Sequence, residues 1–132
     1  MYKTSKNFLC YYFLMISVGV DIEDISRFKN KTLENDLNFL KRVFTLKELE
    51  YCFKNTNPAP HLAARYCAKE AVVKALSNFY NKTIGYSNIE ILKNENGSVC
   101  VNMLIDELKE YNFSLSISHE KDKAVAFVVV EC

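Results

Sequence analysis

Only three glycines, Gly19, Gly85 and Gly97, occur in the 132 residues, and their wide spacing excludes a glycine-rich phosphate loop. Histidine is as scarce: His61 and His119 stand alone, so a histidine-based metal site has no partners. The five cysteines, Cys10, Cys52, Cys67, Cys100 and Cys132, are scattered singly. None has the short spacing of a zinc knuckle or redox motif, which leaves reduced packing thiols as their expected role. An oxygen-ligated hard cation stays open. A net charge of +1, with lysines and acids interspersed, gives no broad cationic field and excludes nonspecific nucleic-acid binding. The apolar run from Phe8 to Ile16 is too short to span a bilayer, so no membrane insertion is expected. It follows Lys3 and Lys6 like a short signal sequence, but lacks a small-residue cleavage site, and a cut near Gly19 would remove the first strand. Residues 1–14 therefore read as an extension, or as the product of a start placed upstream of Met15.

A hydrophobic fraction of 49% with 25% charged residues is that of a folding globular chain, and this length supports one core. One domain over 15–132 is expected. Met15–Val20 is a β-branched apolar run that reads as a buried strand ending at Asp21. Helical spacing follows over Ile22–Phe28, with Asp24 and Arg27 able to reach solvent. Thr45-Leu-Lys-Glu48 has the capping-box pattern and opens a helix to about Lys54. Pro60 suits the first turn of the next helix, which ends near Asn78. Ser87–Leu92 and Ser98–Val101 flank an Asn-Gly hairpin signal at Gly97. Met103–Tyr111 reads as a further amphipathic helix. Phe113–Ser118 alternates as a strand, and Ala124–Val130 pairs with it after the turn at Glu120–Asp122. The fold class is α+β, one long helix packed on a mostly antiparallel sheet.

That long helix, Ala63–Leu76, has its charges in unusual places. At about 100° per residue, Leu62, Ala68, Val72, Val73 and Leu76 share an apolar arc from which Arg65 and Lys69 also project. Glu70 and Lys74 stack one turn apart beside small Ala63 and Cys67. They are either a surface ion pair, worth about 0.2–0.5 kcal/mol, or part of a site with room for a ligand. Asp21 either caps the helix starting at Ile22 or joins Glu70 as a carboxylate pair suited to Mg²⁺ and a phosphate-bearing substrate. Arg65, Lys69, Lys74, Lys41 and Arg42 serve solubility or supply a phosphate-binding group, in which arginine clamps and lysine adds point charge. His119 donates to a phosphate or ends its strand at the surface. Ser114, Ser116 and Ser118 have no histidine–acid partner beside them and make no nucleophilic site.

Three ordered blocks carry a resemblance. Val18-Gly-Val-Asp-Ile22 with Arg27-Phe28, Ala64-Arg-Tyr-Cys-Ala-Lys-Glu-Ala71 with Lys74-Ala75, and Ser116-Ile-Ser-His119 before the strand to Glu131 together resemble the holo-acyl-carrier-protein synthases. These are small bacterial 4′-phosphopantetheinyl transferases. Phe44-Thr45, Glu48 and Tyr51 extend the likeness, which runs from Met15 to Glu131. It implies a cytoplasmic enzyme of fatty acid biosynthesis. Its members move 4′-phosphopantetheine from coenzyme A to a serine of apo-acyl carrier protein and release adenosine 3′,5′-bisphosphate.

By position, the resemblance makes Asp21 and Glu70 the Mg²⁺ ligands and Lys74 the partner of the transferring phosphate. Arg65 and His119 would contact coenzyme A phosphates, with Lys69 and Arg42 assigned to the same cofactor, and Arg27 would face an acidic helix of the carrier protein. Glu70, Asp21 or a metal-bound water would take the serine proton. A homotrimer with its site at a subunit boundary is implied. Two departures, Ser77–Tyr80 in place of a glycine-containing turn and Glu120 after His119, motivate the alternative of a noncatalytic module that binds a carrier protein or nucleotide.

Overall fold

The computed structural model describes residues 14–132, so the expected N-terminal extension lies, except for Leu14, outside the described residues. In chain order the elements are β1 (Ile16–Asp24), a 3-10 turn (Ile25–Phe28), α1 (Leu33–Val43), α2 (Leu46–Phe53) and α3 (Ala59–Leu76). A second 3-10 turn (Tyr86–Asn88), β2 (Ile89–Lys93), β3 (Val99–Met103), a third turn (Asp106–Leu108), β4 (Asn112–His119) and β5 (Lys123–Glu131) follow. The architecture is the expected α+β class. β1, β5 and β4 form one antiparallel sheet in that order, and β2 and β3 form a separate hairpin.

α3 lies across β1 and β5, and its buried residues explain the arc seen in sequence. Leu62, Ala68, Val72 and Leu76 join Ala124, Ala126, Val128 and Val130 of β5 in the core. Small side chains let the layers approach closely. At Gly19 of β1 an added Cβ would fall 2.0 Å from the Ala71 carbonyl oxygen, a distance no side chain tolerates. This contact places the middle of β1 directly against the last two turns of α3.

Several boundaries differ from the sequence expectation. β1 does not stop at Asp21, because ladder pairing with β5 continues through Asp24↔Lys123. The expected helix over Ile22–Phe28 is therefore only the turn Ile25–Phe28, and Asp24, not Asp21, stands before it. Asp21 is thus a mid-strand residue and no helix cap. α1, unassigned in sequence, is opened by Thr32, whose hydroxyl accepts from the Asn35 N–H at 3.1 Å. The Met103–Tyr111 helix is reduced to Asp106–Leu108, since Met103 completes the ladder opposite Ile89. The capping box at Thr45 and Glu48 forms as expected. Gly97 closes the hairpin at φ +88°, where glycine carries no steric cost.

Cys52, Cys67 and Cys100 are free thiols, and burial pushes the Cys52 and Cys67 thiols up to about 12, as suits packing groups. Among the described residues no helix is long and apolar enough to cross a membrane.

Candidate active site

The contact at Gly19 brings Asp21 beside the face of α3 that carries Glu70 and Lys74. Lys74 Nζ donates to Asp21 Oδ1 at 2.8 Å and to the Val20 carbonyl at 3.1 Å. The Asp21 carboxylate raises the Lys74 pKa from its ordinary value, with Glu70 contributing charge at longer range. The other carboxylate oxygen, Asp21 Oδ2, is buried without a hydrogen-bond partner. A buried acceptor left bare costs roughly 1–3 kcal/mol unless a donor or cation meets it. Asp21 and Glu70 are both half-buried, and both charges act on Tyr86. The surface-pair reading is corrected in part: the lysine on this face pairs with Asp21 across the fold, not with Glu70 one turn away.

Around Glu70 are groups that the sequence reading did not single out. Tyr66 lies one turn before Glu70 on α3, and the rings of Tyr66 and Tyr86 meet edge to face at 5.6 Å. Burial raises both phenols first, and the negative charge of the nearby Glu70 carboxylate raises them further. The Arg27 guanidinium sits 4.9 Å from the centre of the Tyr66 ring and holds Glu23 Oε2 at 2.9 Å. Burial raises the Glu23 carboxyl, and the nearby Asp21 charge adds to the rise against the opposing pull of Arg27. Spacing four residues apart identifies Tyr66 as a neighbour of Glu70. No sequence signal places Tyr86, which arrives from a turn between α3 and β2.

Arg65 occupies a different part of α3. It is buried, its guanidinium lies 4.2 Å over the Tyr51 ring, and Nη1 donates to the His61 carbonyl at 3.4 Å. Its Nε is buried without a partner. Arg65 lines a cavity of about 310 Å³ together with Lys47, Tyr51, Ile91 and Lys93. Burial lowers the His61 pKa, and Arg65, His119 and Lys93 lower it further by repulsion. His119 is exposed at the end of β4 opposite Ala124, and its charge acts on His61. Arg42 is exposed in the last turn of α1, and Arg27 is exposed at the protein surface.

Lys69, expected as a cofactor contact, is enclosed by the protein. Its ammonium is fully buried and donates to Glu48 Oε1 at 2.7 Å, Tyr86 O at 2.9 Å and Ile89 O at 2.6 Å. All three protons are used. Glu48 also accepts from the N–H groups of Thr45 at 2.8 Å and Ile91 at 3.0 Å. Burial lowers the Lys69 pKa, opposed by the attraction of Glu48. This ion pair ties α2, α3 and β2 together.

Ser77–Tyr80 turns without glycine, because the N–H groups of Phe79 and Tyr80 both bond to the Leu76 carbonyl, at 2.9 and 2.8 Å. Phe79 then packs into the core. Among the described residues, no group of three or more His, Cys, Asp or Glu side chains is arranged to hold a metal ion. Two carboxylates with one bare buried oxygen suit a hard divalent cation that takes its other ligands from water and substrate.

The description "4'-phosphopantetheinyl transferase superfamily" belongs to the family model that matches residues 17–128. A holo-[acyl-carrier-protein] synthase of Thermodesulfovibrio yellowstonii is 45% identical over 117 residues, covering 86% of this chain and 96% of that protein. The solved holo-[acyl-carrier-protein] synthase of Neisseria meningitidis aligns with a TM-score of 0.75 at 29% identity, over 89% of this chain and 100% of the other. That of Bacillus anthracis, solved in complex with CoA (3',5'-ADP), aligns with a TM-score of 0.72 at 29% identity, over 90% and 98%.

Proposed function

The chain belongs to the 4′-phosphopantetheinyl transferase superfamily, and from that we propose that it transfers 4′-phosphopantetheine from coenzyme A to a serine of apo-acyl carrier protein. Adenosine 3′,5′-bisphosphate leaves. Residues 15–132 form the transferase domain, acting in the cytoplasm in support of fatty acid biosynthesis. The observation that carries this reading is the bare buried Asp21 Oδ2, held beside Lys74 on the face of α3 that also presents Glu70.

Asp21 and Glu70 would hold Mg²⁺, and the unsatisfied oxygen fits such a ligand. The cation, when bound, supplies neutralisation of charge building on the diphosphate. Lys74, already turned toward Asp21 and otherwise exposed, steadies the phosphoryl oxygens as the serine hydroxyl attacks. Arg65, which lines the cavity, and His119 bind coenzyme A phosphates. The surrounding Lys47 and Lys93 add positive charge suited to the same anion. Arg42, exposed in the last turn of α1, adds a further cation for the cofactor phosphates. Arg27 meets acidic groups of the carrier protein, exchanging its bond to Glu23 for one across the interface.

A homotrimer is supported by the outer face of the sheet. Ile16, Val18, Val20 and Ile22 of β1 and Val125 and Phe127 of β5 present apolar side chains to solvent, between 38% and 64% exposed. A contiguous apolar sheet face of this kind marks an association surface.

Incubation with coenzyme A and an apo-acyl carrier protein, with and without Mg²⁺, tests the reading. Metal-dependent loading supports it. Carrier binding without loading, indifferent to Mg²⁺, favours the noncatalytic module instead.

A further inference from the structure

We propose that Tyr51 is a positioning residue for coenzyme A binding: its ring carries the Arg65 guanidinium and leaves the donor edge open to a phosphate. The inference rests on the reading of Arg65 as a contact of the coenzyme A phosphates. Arg65 is only 3% exposed, and a buried cation needs a partner. Among the described residues no carboxylate forms an ion pair with it. Glu48 shares the cavity wall with Arg65, but both of its oxygens are committed. Oε1 accepts from Lys69 and the Thr45 N–H, and Oε2 from the Ile91 N–H.

The partner that Arg65 does have is an aromatic face. Its guanidinium carbon lies over the Tyr51 ring, 4.2 Å from the centre, well inside the range of cation–π attraction. A carboxylate in that place would occupy the planar N–H fork. A ring holds the charge through its face and leaves the N–H groups in the guanidinium plane for an anion. Of these groups, Nη1 makes a long bond of 3.4 Å to the His61 carbonyl, and Nε has no partner. Tyr51 is itself held in place. It stands on α2 three residues after Glu48, the buried acid tied to Lys69 at 2.7 Å, and the His61 ring meets it edge to face at 5.7 Å. Lys93 Nζ of β2 donates to the Tyr51 hydroxyl at 3.3 Å. One side chain of α2 thus gathers a cation of α3 and a cation of β2 at the wall of the same cavity. Glu95 also lines this cavity, and Arg65, Lys93 and Lys47 together outweigh it.

The experiment measures binding of adenosine 3′,5′-bisphosphate by isothermal titration calorimetry. It compares Tyr51→Leu, Tyr51→Phe, Arg65→Gln and the Tyr51→Leu, Arg65→Gln pair with the intact protein. The expected result is affinity about 3–30-fold weaker in Tyr51→Leu, the range of a cation–π contact. Tyr51→Phe keeps the aromatic face and should stay within about twofold of wild type. In the Arg65→Gln background, Tyr51→Leu should add less than about twofold, because the ring then has no cation to hold. A general loss of stability would instead weaken binding equally in both backgrounds. A loss below about threefold in Tyr51→Leu, with Arg65→Gln impaired, would overturn this inference alone. So would an equal loss in both backgrounds, or a Tyr51→Phe variant as weak as Tyr51→Leu. Wild-type affinity in Arg65→Gln would overturn the reading of Arg65 itself. If Tyr51→Leu fails to fold by circular dichroism, Tyr51→Met decides by the same criteria.

Discussion

Lys74 Nζ lies 2.8 Å from Asp21 Oδ1, an ion pair that joins α3 to β1 across 53 positions of sequence. The lysine is half-exposed while the aspartate is largely covered, so the pair contributes little to folding and leaves the ammonium free to exchange partners. Asp21→Asn, Glu70→Gln and Lys74→Met are each expected to lower transfer by at least about 100-fold. Circular dichroism and thermal unfolding should remain close to wild type. Wild-type turnover in Asp21→Asn or Glu70→Gln would refute the metal assignment.

Gly19→Ala drives a methyl group into the backbone of α3. Its Cβ would sit 2.0 Å from one backbone oxygen and 2.9 Å from the Ala75 nitrogen of α3, and neither can rotate away. β1 must move off the helix, at a cost of about 3 kcal/mol, and Asp21 moves with it. Urea unfolding should register the loss. A variant as stable as wild type would show that β1 and α3 are not in this contact.

The buried pair of Lys69 and Glu48 is expected to matter mainly for stability. Lys69→Met leaves Glu48 buried with no countercharge, which should cost about 3–5 kcal/mol. Lys69→Met combined with Glu48→Gln should recover much of that loss, because the uncompensated charge is gone. A double variant no more stable than Lys69→Met, measured by chemical denaturation, would contradict the pairing.

The apolar outer face predicts its own variant. Phe127→Asp puts a charge in the centre of a surface formed with Val18, Val20 and Val125, so a trimer should dissociate while the monomer keeps its secondary structure. Light scattering reads the mass directly. An unchanged trimer would place the interface elsewhere, and a wild-type protein that is monomeric at every concentration would remove the trimer.

Much of this site was legible from spacing, and the rest for physical reasons was not. The pattern put Arg65 and Lys69 on the apolar arc of α3, which is where they are buried. It could not say that the carboxylate of Glu48, 21 positions earlier, satisfies Lys69, because helical periodicity encodes a face and not the element that covers it. Asp21 looked like a strand end because its charge interrupts an apolar run. The structure keeps it in the ladder opposite Ala126, as its half-buried side points to Lys74 and not into the hydrophobic layer. Met103–Tyr111 had helical spacing, yet ladder pairing at Met103 and the burial of Leu108 outweigh local propensity there. Tyr86 was invisible, since a turn residue acquires its neighbours only from tertiary packing.

The most direct measurement is the intact mass of an apo-acyl carrier protein after incubation with this protein, coenzyme A and Mg²⁺. The account predicts a gain of one phosphopantetheine group on a carrier serine with the wild-type chain, and none with Asp21→Asn. An unchanged carrier mass across several carrier proteins, including the host's own, would contradict it.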